Sequence, residues 1–251
     1  MKLLKEISKN KYSGINTKTS KEVVILKISE NYFNKKNCEI FSKKITEDEK
    51  IYFANIESFI DKGDKKIIIY EKGEGNFEEN LAESFIYYTA RHIQYIFNQI
   101  NIAINFLYNN NIQFDKLQLS DIIYNIEDNK PIFKLAPFFL NGNQKRKKNK
   151  NNQLQIIKSL INKLYFNQDS AKITPISDEE LNDLLIKLSN NKLNMKHYIN
   201  HKFFISDKNE KEIKNLIKFN ETFDLGDLYK LNEEYYLLRY KNIINIIKIF
   251  P

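Results

Sequence analysis

The chain has 251 residues, 42% of them hydrophobic and 13% aromatic, and its 40 basic and 32 acidic side chains give a net charge of +8. This composition is typical of a folded globular protein and excludes a disordered one. Lysine is spread along the whole chain, so the positive charge by itself is a weak indication of a nucleic-acid partner. Cys38 is the single cysteine, which excludes an intrachain disulfide and favours a reducing compartment.

Metal-binding and membrane patterns are not found in the sequence. The three histidines are scattered and no cysteine pair accompanies them, so no zinc site is predicted. No apolar run approaches the roughly 18 residues of a membrane span, and the apolar run near the N-terminus is too short for a signal peptide. A soluble cytoplasmic protein is therefore expected.

The N-terminal part of the chain, residues 1–72, is predicted to be rich in β-strands. Residues 22–28, EVVILKI, form a β-branched run that follows the polar turn NTKTSK, which is typical of a strand. Residues 34–45 have weak helical periodicity. The stretches IYFANIESFIDKG and KKIIIYEKG predict two strands joined at a glycine-containing hairpin. GEGN, at 73–76, is the clearest glycine-rich stretch and predicts a hinge between two lobes.

Beyond GEGN the pattern changes to helices. In residues 85–108, apolar side chains recur at the three- and four-residue spacing of a helix with one buried face; they are Ile93, Ile96, Phe97, Ile100, Ile104 and Leu107. Two short strands, DIIY and IFKLA, follow. The later predicted segments are a basic polar loop over 141–152, amphipathic helices over 153–166 and 178–189, a short helix over 196–204 and two helices in 207–251. Ser177 is predicted to be the N-cap of the helix at 178–189.

The order of these elements, together with five motifs, resembles the eukaryotic protein kinase family. VILK, at 24–27, resembles the Val-Ala-Ile-Lys strand, which implies that Lys27 holds ATP phosphate and pairs with Glu39. The stretch around GEGN resembles the hinge that holds adenine. The other motifs are FLYNNNIQFDKLQLSDIIY at 106–124 for the catalytic loop, FKLAPFFL at 133–140 for the Asp-Phe-Gly segment, and LNMKHYINHKFF at 193–204 for the domain end.

The resemblance implies an α+β, two-lobed protein kinase-like fold. A small β-rich N-lobe is expected over 1–72 and a mostly helical C-lobe over 73–205, with a shortened activation segment. Residues 206–251 are expected to form a C-terminal helical extension, which packs either on the C-lobe or on a partner protein.

The positions that carry kinase chemistry are altered. Phosphoryl transfer needs bound phosphates, metal ligands and an acid that orients the attacking hydroxyl group. The ungapped alignment places Phe114, Asp115 and Lys116 on His-Arg-Asp, so a lysine stands where the base should be. Asp121 falls on the metal-binding Asn and is interpreted either as a remaining Mg²⁺ ligand or as a turn acid with local hydrogen bonds. Pro137 replaces the metal-binding Asp.

Two further kinase elements are missing from the sequence. The stretch that corresponds to the glycine loop contains only Gly14, and no Ala-Pro-Glu motif follows PFF. The sequence therefore predicts a catalytically inactive pseudokinase with no catalytic residue and no metal site. Lys27 and Glu39 are retained as vestigial nucleotide contacts, with a plain strand lysine as the alternative for Lys27. ATP and Mg²⁺ are not expected to bind.

The predicted function is that of a scaffold or structural subunit in a larger intracellular assembly, such as the cytoskeleton. Contacts with other proteins are expected through the 206–251 extension and the basic loop 144–150, and neither a membrane nor nucleic acid is expected as partner. Two alternatives stay open. One is an atypical active Ser/Thr protein kinase that uses Asp115 or Asp121, and the other is a basic nucleic-acid-binding module.

Overall fold

The structure is a computed structural model that describes residues 2–8, 10–78, 88, 90–127, 130–141, 150–166 and 178–205. Residues 1–206 form one compact unit of the α+β class, in which an antiparallel sheet comes first and helices follow. The basic loop, apart from Lys150, and the extension over 206–251 lie outside the described residues, and the predicted boundary at residue 72 stays a prediction.

The N-terminal region forms a five-stranded antiparallel sheet. Its strands are β1 (Lys2–Ser8), β2 (Lys11–Ile15), β3 (Glu22–Ser29), β4 (Ile56–Asp61) and β5 (Lys65–Glu71), and they lie in the order β1-β2-β3-β5-β4. The strand predicted at 22–28 is confirmed as β3, whose apolar residues are buried on both faces of the sheet. Helix α1 (Lys35–Lys44) follows β3, and the Asn34 side chain caps it by accepting a hydrogen bond from the Asn37 N–H.

The strand predicted for IYFANIESFID is wrong in its first half. Helix α2 (Glu47–Lys50) precedes it, and β4 begins only at Ile56. Between the two, the chain turns inward and runs beside a strand of the second sheet. The Ala54 N–H donates to the Leu135 carbonyl at 2.8 Å, and the Leu135 N–H donates to the Tyr52 carbonyl at 2.9 Å. Burial of Phe53 and Ala54 explains these two apolar residues without a strand, whereas Ile51 is exposed.

A second sheet has three strands, β6 (Gly75–Asn76), β7 (Ile122–Glu127) and β8 (Lys130–Leu135), and β7 lies in the middle. The glycine-rich stretch predicted as a hinge therefore contributes a strand. A Cβ atom on Gly75 would lie 2.6 Å from the Tyr124 hydroxyl, and Gly73 has a φ of +74°. Glycine is needed at these two positions for close backbone approach and for a left-handed conformation.

Helix α3 (Ala90–Asn109) lies between β6 and β7 in the chain. Four helices follow β8 in the described residues: α4 (Lys150–Phe166), α5 (Glu179–Ser189), α6 (Met195–Ile199) and α7 (Lys202–Ile205). The six apolar residues predicted for the buried face of α3 are all buried, so that prediction is confirmed. The N-cap of α5 is Asp178, which accepts from the Leu181 N–H at 2.8 Å, and the prediction of Ser177 is wrong by one residue. None of the described helices is long and apolar enough to cross a membrane.

A cluster of four phenylalanine rings joins α1, α3, the segment before β4 and the segment after β8. Phe41 from α1 and Phe106 from α3 both contact Phe53, at centroid distances of 5.0 and 5.7 Å. Phe139, which follows β8, contacts Phe41 at 5.0 Å and Phe53 at 5.7 Å. Edge-to-face and tilted contacts at these distances add to the stabilisation from burial, so Phe53 holds α1, α3 and the segment after β8 together.

Replacing Phe53 by alanine should destabilise the fold strongly. Phe53 is 3% exposed and lies at the centre of the cluster, so Phe53→Ala should lower the free energy of unfolding by about 3–5 kcal/mol. Phe59→Ala removes the same ring from a side chain that is 43% exposed and should cost less than about 1.5 kcal/mol. Urea denaturation measures both, and equal losses would contradict the central role of Phe53.

His201 is buried where the C-terminal helices meet. Its Nε2 atom lies 3.3 Å from an Asp183 carboxylate oxygen on α5. Burial lowers the pKa of the His201 imidazole below its ordinary value of 6.5, and the charges of Lys187 and Lys202 lower it further against the opposing effect of Asp183. Burial lowers the pKa of His92 as well. Both histidines are therefore held neutral more strongly in the folded state than in the unfolded state.

Stability should fall as the pH drops below about 6.5, because the unfolded chain then binds protons that the folded chain does not. His201→Gln should flatten part of this dependence, and the remainder should come from His92. The measurement is the urea midpoint at several pH values between 7.5 and 5. His197→Gln changes an exposed histidine on α6 and should keep the wild-type slope. An unchanged slope in His201→Gln would show that His201 does not contribute.

Candidate functional site

The loop predicted to be catalytic runs from the end of α3 to the start of β7. It begins with a tight turn, in which Asn111 has a φ of +56° and the Ile112 N–H donates to the Leu107 carbonyl at 2.8 Å. Ile112, Phe114 and Leu117 are buried. The loop is thus anchored by apolar side chains at its start and middle, and the polar residues between them are left at the surface.

Asp115 and Lys116 are exposed on this loop and line a cavity of about 210 Å³. The opposite wall comes from α4 and includes Leu160 and Lys163. Lys116, which the resemblance aligns with the base of a kinase, is a cationic side chain at the surface. The cavity has both acidic and basic groups and does not favour an anionic ligand over a cationic one.

Asp121 is engaged in a different environment, between the two sheets. One carboxylate oxygen accepts a hydrogen bond from the Gln118 N–H at 3.0 Å, which stabilises the 3-10 turn Leu119–Asp121. The other oxygen lies 3.4 Å from the Nζ atom of Lys11 on β2. Lys11 also donates to the Ser120 carbonyl at 3.0 Å. Asp121 therefore forms local hydrogen bonds and one ion pair, in the manner of a turn acid.

The surroundings of Asp121 are poor in solvent. Its side chain is 14% exposed, and that of Lys11 is 11% exposed. The buried phenol of Tyr70 lies close enough that the negative charge of Asp121 adds to the effect of burial, and together they raise the pKa of Tyr70 well above its ordinary value. A carboxylate in such a place needs a nearby cation, and Lys11 provides it.

Lys27 and Glu39, the predicted nucleotide contacts, are not brought together. Lys27 lies between Leu26 and Ile28 on β3, and both neighbours point into the main core that packs on α1. Side chains alternate along a strand, so Lys27 points to the opposite face, where its Nζ atom lies 4.1 Å above the Tyr12 ring. Glu39 is exposed on α1, and no ion pair joins the two in the described residues.

The segment at the Asp-Phe-Gly positions is packed against α1. Pro137 is buried, and the 3-10 turn Phe138–Leu140 follows it. The Asn34 N–H donates to the Leu140 carbonyl at 2.9 Å, and the buried Asn37 amide donates to the Phe139 carbonyl at 2.9 Å. Phe138 packs edge-on against Phe114 of the loop at 5.4 Å. Carbonyls and rings of this segment are therefore used in structural contacts.

Neither Pro137 nor Asp121 offers an unused side-chain oxygen for a Mg²⁺ ion at this place. Mg²⁺ takes oxygen ligands in an octahedral arrangement, and the side chain of Pro137 offers no oxygen. Both carboxylate oxygens of Asp121 already have partners. Among the described residues no group of three His, Cys, Asp or Glu side chains is placed to hold a metal ion.

Lys11 and Asn37 are site residues that the sequence analysis did not single out. Lysine and asparagine are abundant throughout this chain, so neither residue stood out. Lys11 points into the core because the register of β2 on β3 pairs it with the inward-facing Leu26. The sequence alone does not show this register.

Comparisons with known proteins add no assignment. No protein-family model matches the chain, and the search of curated proteins finds no significant match.

Loss of the Asn37 amide should weaken the contact between α1 and the turn Phe138–Leu140. Asn37→Leu keeps a similar volume but leaves the Phe139 carbonyl without its donor, so it should cost about 1–3 kcal/mol of unfolding free energy. The control is Asn200→Leu, which removes an exposed hydrogen bond to Lys196 and should change stability by less than about 0.5 kcal/mol. If Asn37→Leu is as stable as wild type by urea denaturation, the hydrogen bond does not hold the turn.

Proposed function

We propose that the protein is a pseudokinase, with a protein kinase-like fold that does not perform kinase chemistry, and that it acts as a scaffold or structural subunit in a cytoplasmic assembly. The observation that carries this proposal is which residues stand in the segment after β8 and how they are packed. In a protein kinase this segment supplies a metal-binding aspartate, whereas here Pro137 stands at that position and Phe139 is part of the aromatic cluster.

The order of elements supports the kinase-like part of the proposal. A five-stranded antiparallel sheet contains β3, a helix follows β3 directly, and a long buried helix precedes the loop that resembles the catalytic loop. The loop itself leads into a two-strand hairpin, β7 and β8, and the Pro137 segment comes directly after it. This order of elements agrees with the order of the motifs in the sequence and so supports the proposal.

The residues at the chemical positions support the inactive part of the proposal. Lys116 is an exposed cation at the place of the base. Asp115 lines the cavity beside α4, while Asp121 lies between the sheets and pairs with Lys11. An atypical kinase would need one of these acids to orient a hydroxyl group beside bound phosphates, and the two face different surroundings.

A kinase-like fold without kinase activity is proposed to act by binding other proteins. The 206–251 extension and the basic loop 144–150 are the proposed contact regions. The single cysteine, Cys38, has no partner for a disulfide within the chain, which supports a reducing compartment such as the cytoplasm.

Incubation with radiolabelled ATP and Mg²⁺ or Mn²⁺ should give no phosphate transfer to the protein itself or to a general substrate protein. Asp121→Ala should give the same result. In a thermal-shift measurement, a ligand at 100 times its dissociation constant would stabilise the fold by about 2.7 kcal/mol, and no shift of that size is expected with ATP and Mg²⁺. Robust transfer that disappears in Asp121→Ala would overturn the proposal.

The scaffold role has its own measurement. The full chain, purified from its native source, should co-purify with the same protein or proteins in stoichiometric amount. Recovery as a monomer without such proteins, after mild crosslinking, would contradict a role as structural subunit while leaving the absence of kinase activity untouched.

A further inference from the structure

Buried lysines are uncommon in proteins, and the described part of this chain contains Lys11, Lys66 and Lys134. Lys66 pairs with Glu30 and Asp61 beside its own strand. Lys134, on β8, pairs with Glu71 and Glu127. Lys11 differs from both, because its partners are the Ser120 carbonyl and the Asp121 carboxylate, which are 109 and 110 positions away in the chain.

Lys11 connects the hairpin β1–β2 to the second sheet, whereas the pairing of β2 with β3 holds the hairpin in its own sheet. The β1 side chains of residues 2–7 are exposed, and the pairing of β1 with β2 has irregularities after Leu3 and after Glu6. On β2, Lys11 is one of only two buried residues, together with Gly14. The side chain of Lys11 thus reaches from this hairpin to the start of β7, across the space between the sheets.

We infer that Lys11 is a built-in cation that takes the place of a metal ion beside Asp121 and holds the hairpin β1–β2 over the site. Three observations lead to this inference. The ammonium group lies within ion-pair distance of the carboxylate at the position where the kinase resemblance puts a metal ligand. It also donates to the neighbouring backbone carbonyl. Lys27, the lysine that the motif assigns to this site, lies on the other face of the sheet.

The physical consequence is a site that is neutralised and closed without a ligand. A metal ion would have to displace the ammonium group from Asp121, which would then leave a lysine buried without its partner. The claim that Lys11 replaces a metal rests on the proposed function. The claim that Lys11 and Asp121 hold the hairpin rests on the geometry alone.

A double-mutant cycle tests the contact. Lys11→Met and Asp121→Asn keep the side-chain sizes and remove one charge each. Each should lower the folding equilibrium constant roughly tenfold or more in urea denaturation, because each leaves the other charge unpaired. The double variant should be roughly tenfold more stable than the product of the two single effects predicts. Multiplicative effects would overturn the inference.

Two further variants separate charge from packing. Lys65→Met removes an exposed lysine on β5 and should leave hydrogen exchange in β2 unchanged. Lys11→Met should increase exchange in residues 11–15, and Lys11→Arg, which keeps the charge, should retain more of the protection. If Lys11→Met does not fold, Lys11→Arg and Asp121→Asn alone decide, since an arginine variant as unprotected as Asp121→Asn would overturn the role of the charge.

The ATP assay on the same variants distinguishes the two conclusions. If the effects of the Lys11 and Asp121 variants are coupled and the protein also transfers phosphate robustly, the inferred contact stands and the proposal of a pseudokinase is wrong. If the effects of the two variants are independent and no phosphate is transferred, the inferred contact is wrong and the proposal of a pseudokinase stands. A large stabilisation of the wild type by Mg²⁺ alone would overturn the claim that Lys11 stands in for a metal ion.

Discussion

The packing of the turn Phe138–Leu140 against α1 is the contact on which the rest of the unit depends. Asn34 and Asn37 donate to two successive carbonyls of this turn, at Leu140 and Phe139. The Phe139 ring then completes the aromatic cluster around Phe53. Because hydrogen bonds and apolar burial act on the same few residues, the helix after β3, the segment before β4 and the end of β8 have one fixed arrangement.

This arrangement follows from the composition of the segment after β8. Pro137 and Phe139 have no side-chain oxygen, and both are buried. The proposed loss of kinase chemistry has the same origin, because the resemblance puts a metal-binding aspartate at Pro137. The Lys11–Asp121 ion pair is also a contact within the fold, because the ammonium group and the carboxylate group neutralise each other.

The sequence could predict elements whose signal is local and repeated. The apolar spacing of α3 and the β-branched run of β3 are of this kind, and both were predicted within a few residues. The predicted strand fails over 51–55, because an irregular stretch that buries Phe53 and Ala54 has the same apolar composition as a strand, and only the contact of Phe53 with Leu135 distinguishes the two. Lys11 and Asn37 could not be predicted as site residues, since their partners lie more than 100 positions away. The N-cap of α5 was placed at Ser177, one residue early, because serine and aspartate stand side by side and both are good caps.

The surroundings of Gly63, Gly73 and Gly75 indicate where the chain can accept an insertion and where it cannot. Gly73 and Gly75, in the stretch that reads as a linker, lie against Tyr124 and Ile123, so added chain there would force β6 off β7. Gly63 stands in the exposed turn between β4 and β5, with no atom within 4 Å of a Cβ built on it. Exposed loop tips are where proteins best tolerate added segments. An affinity tag or a fluorescent label is therefore better placed at Gly63 than at Gly73 or Gly75, because it meets no neighbouring atoms there.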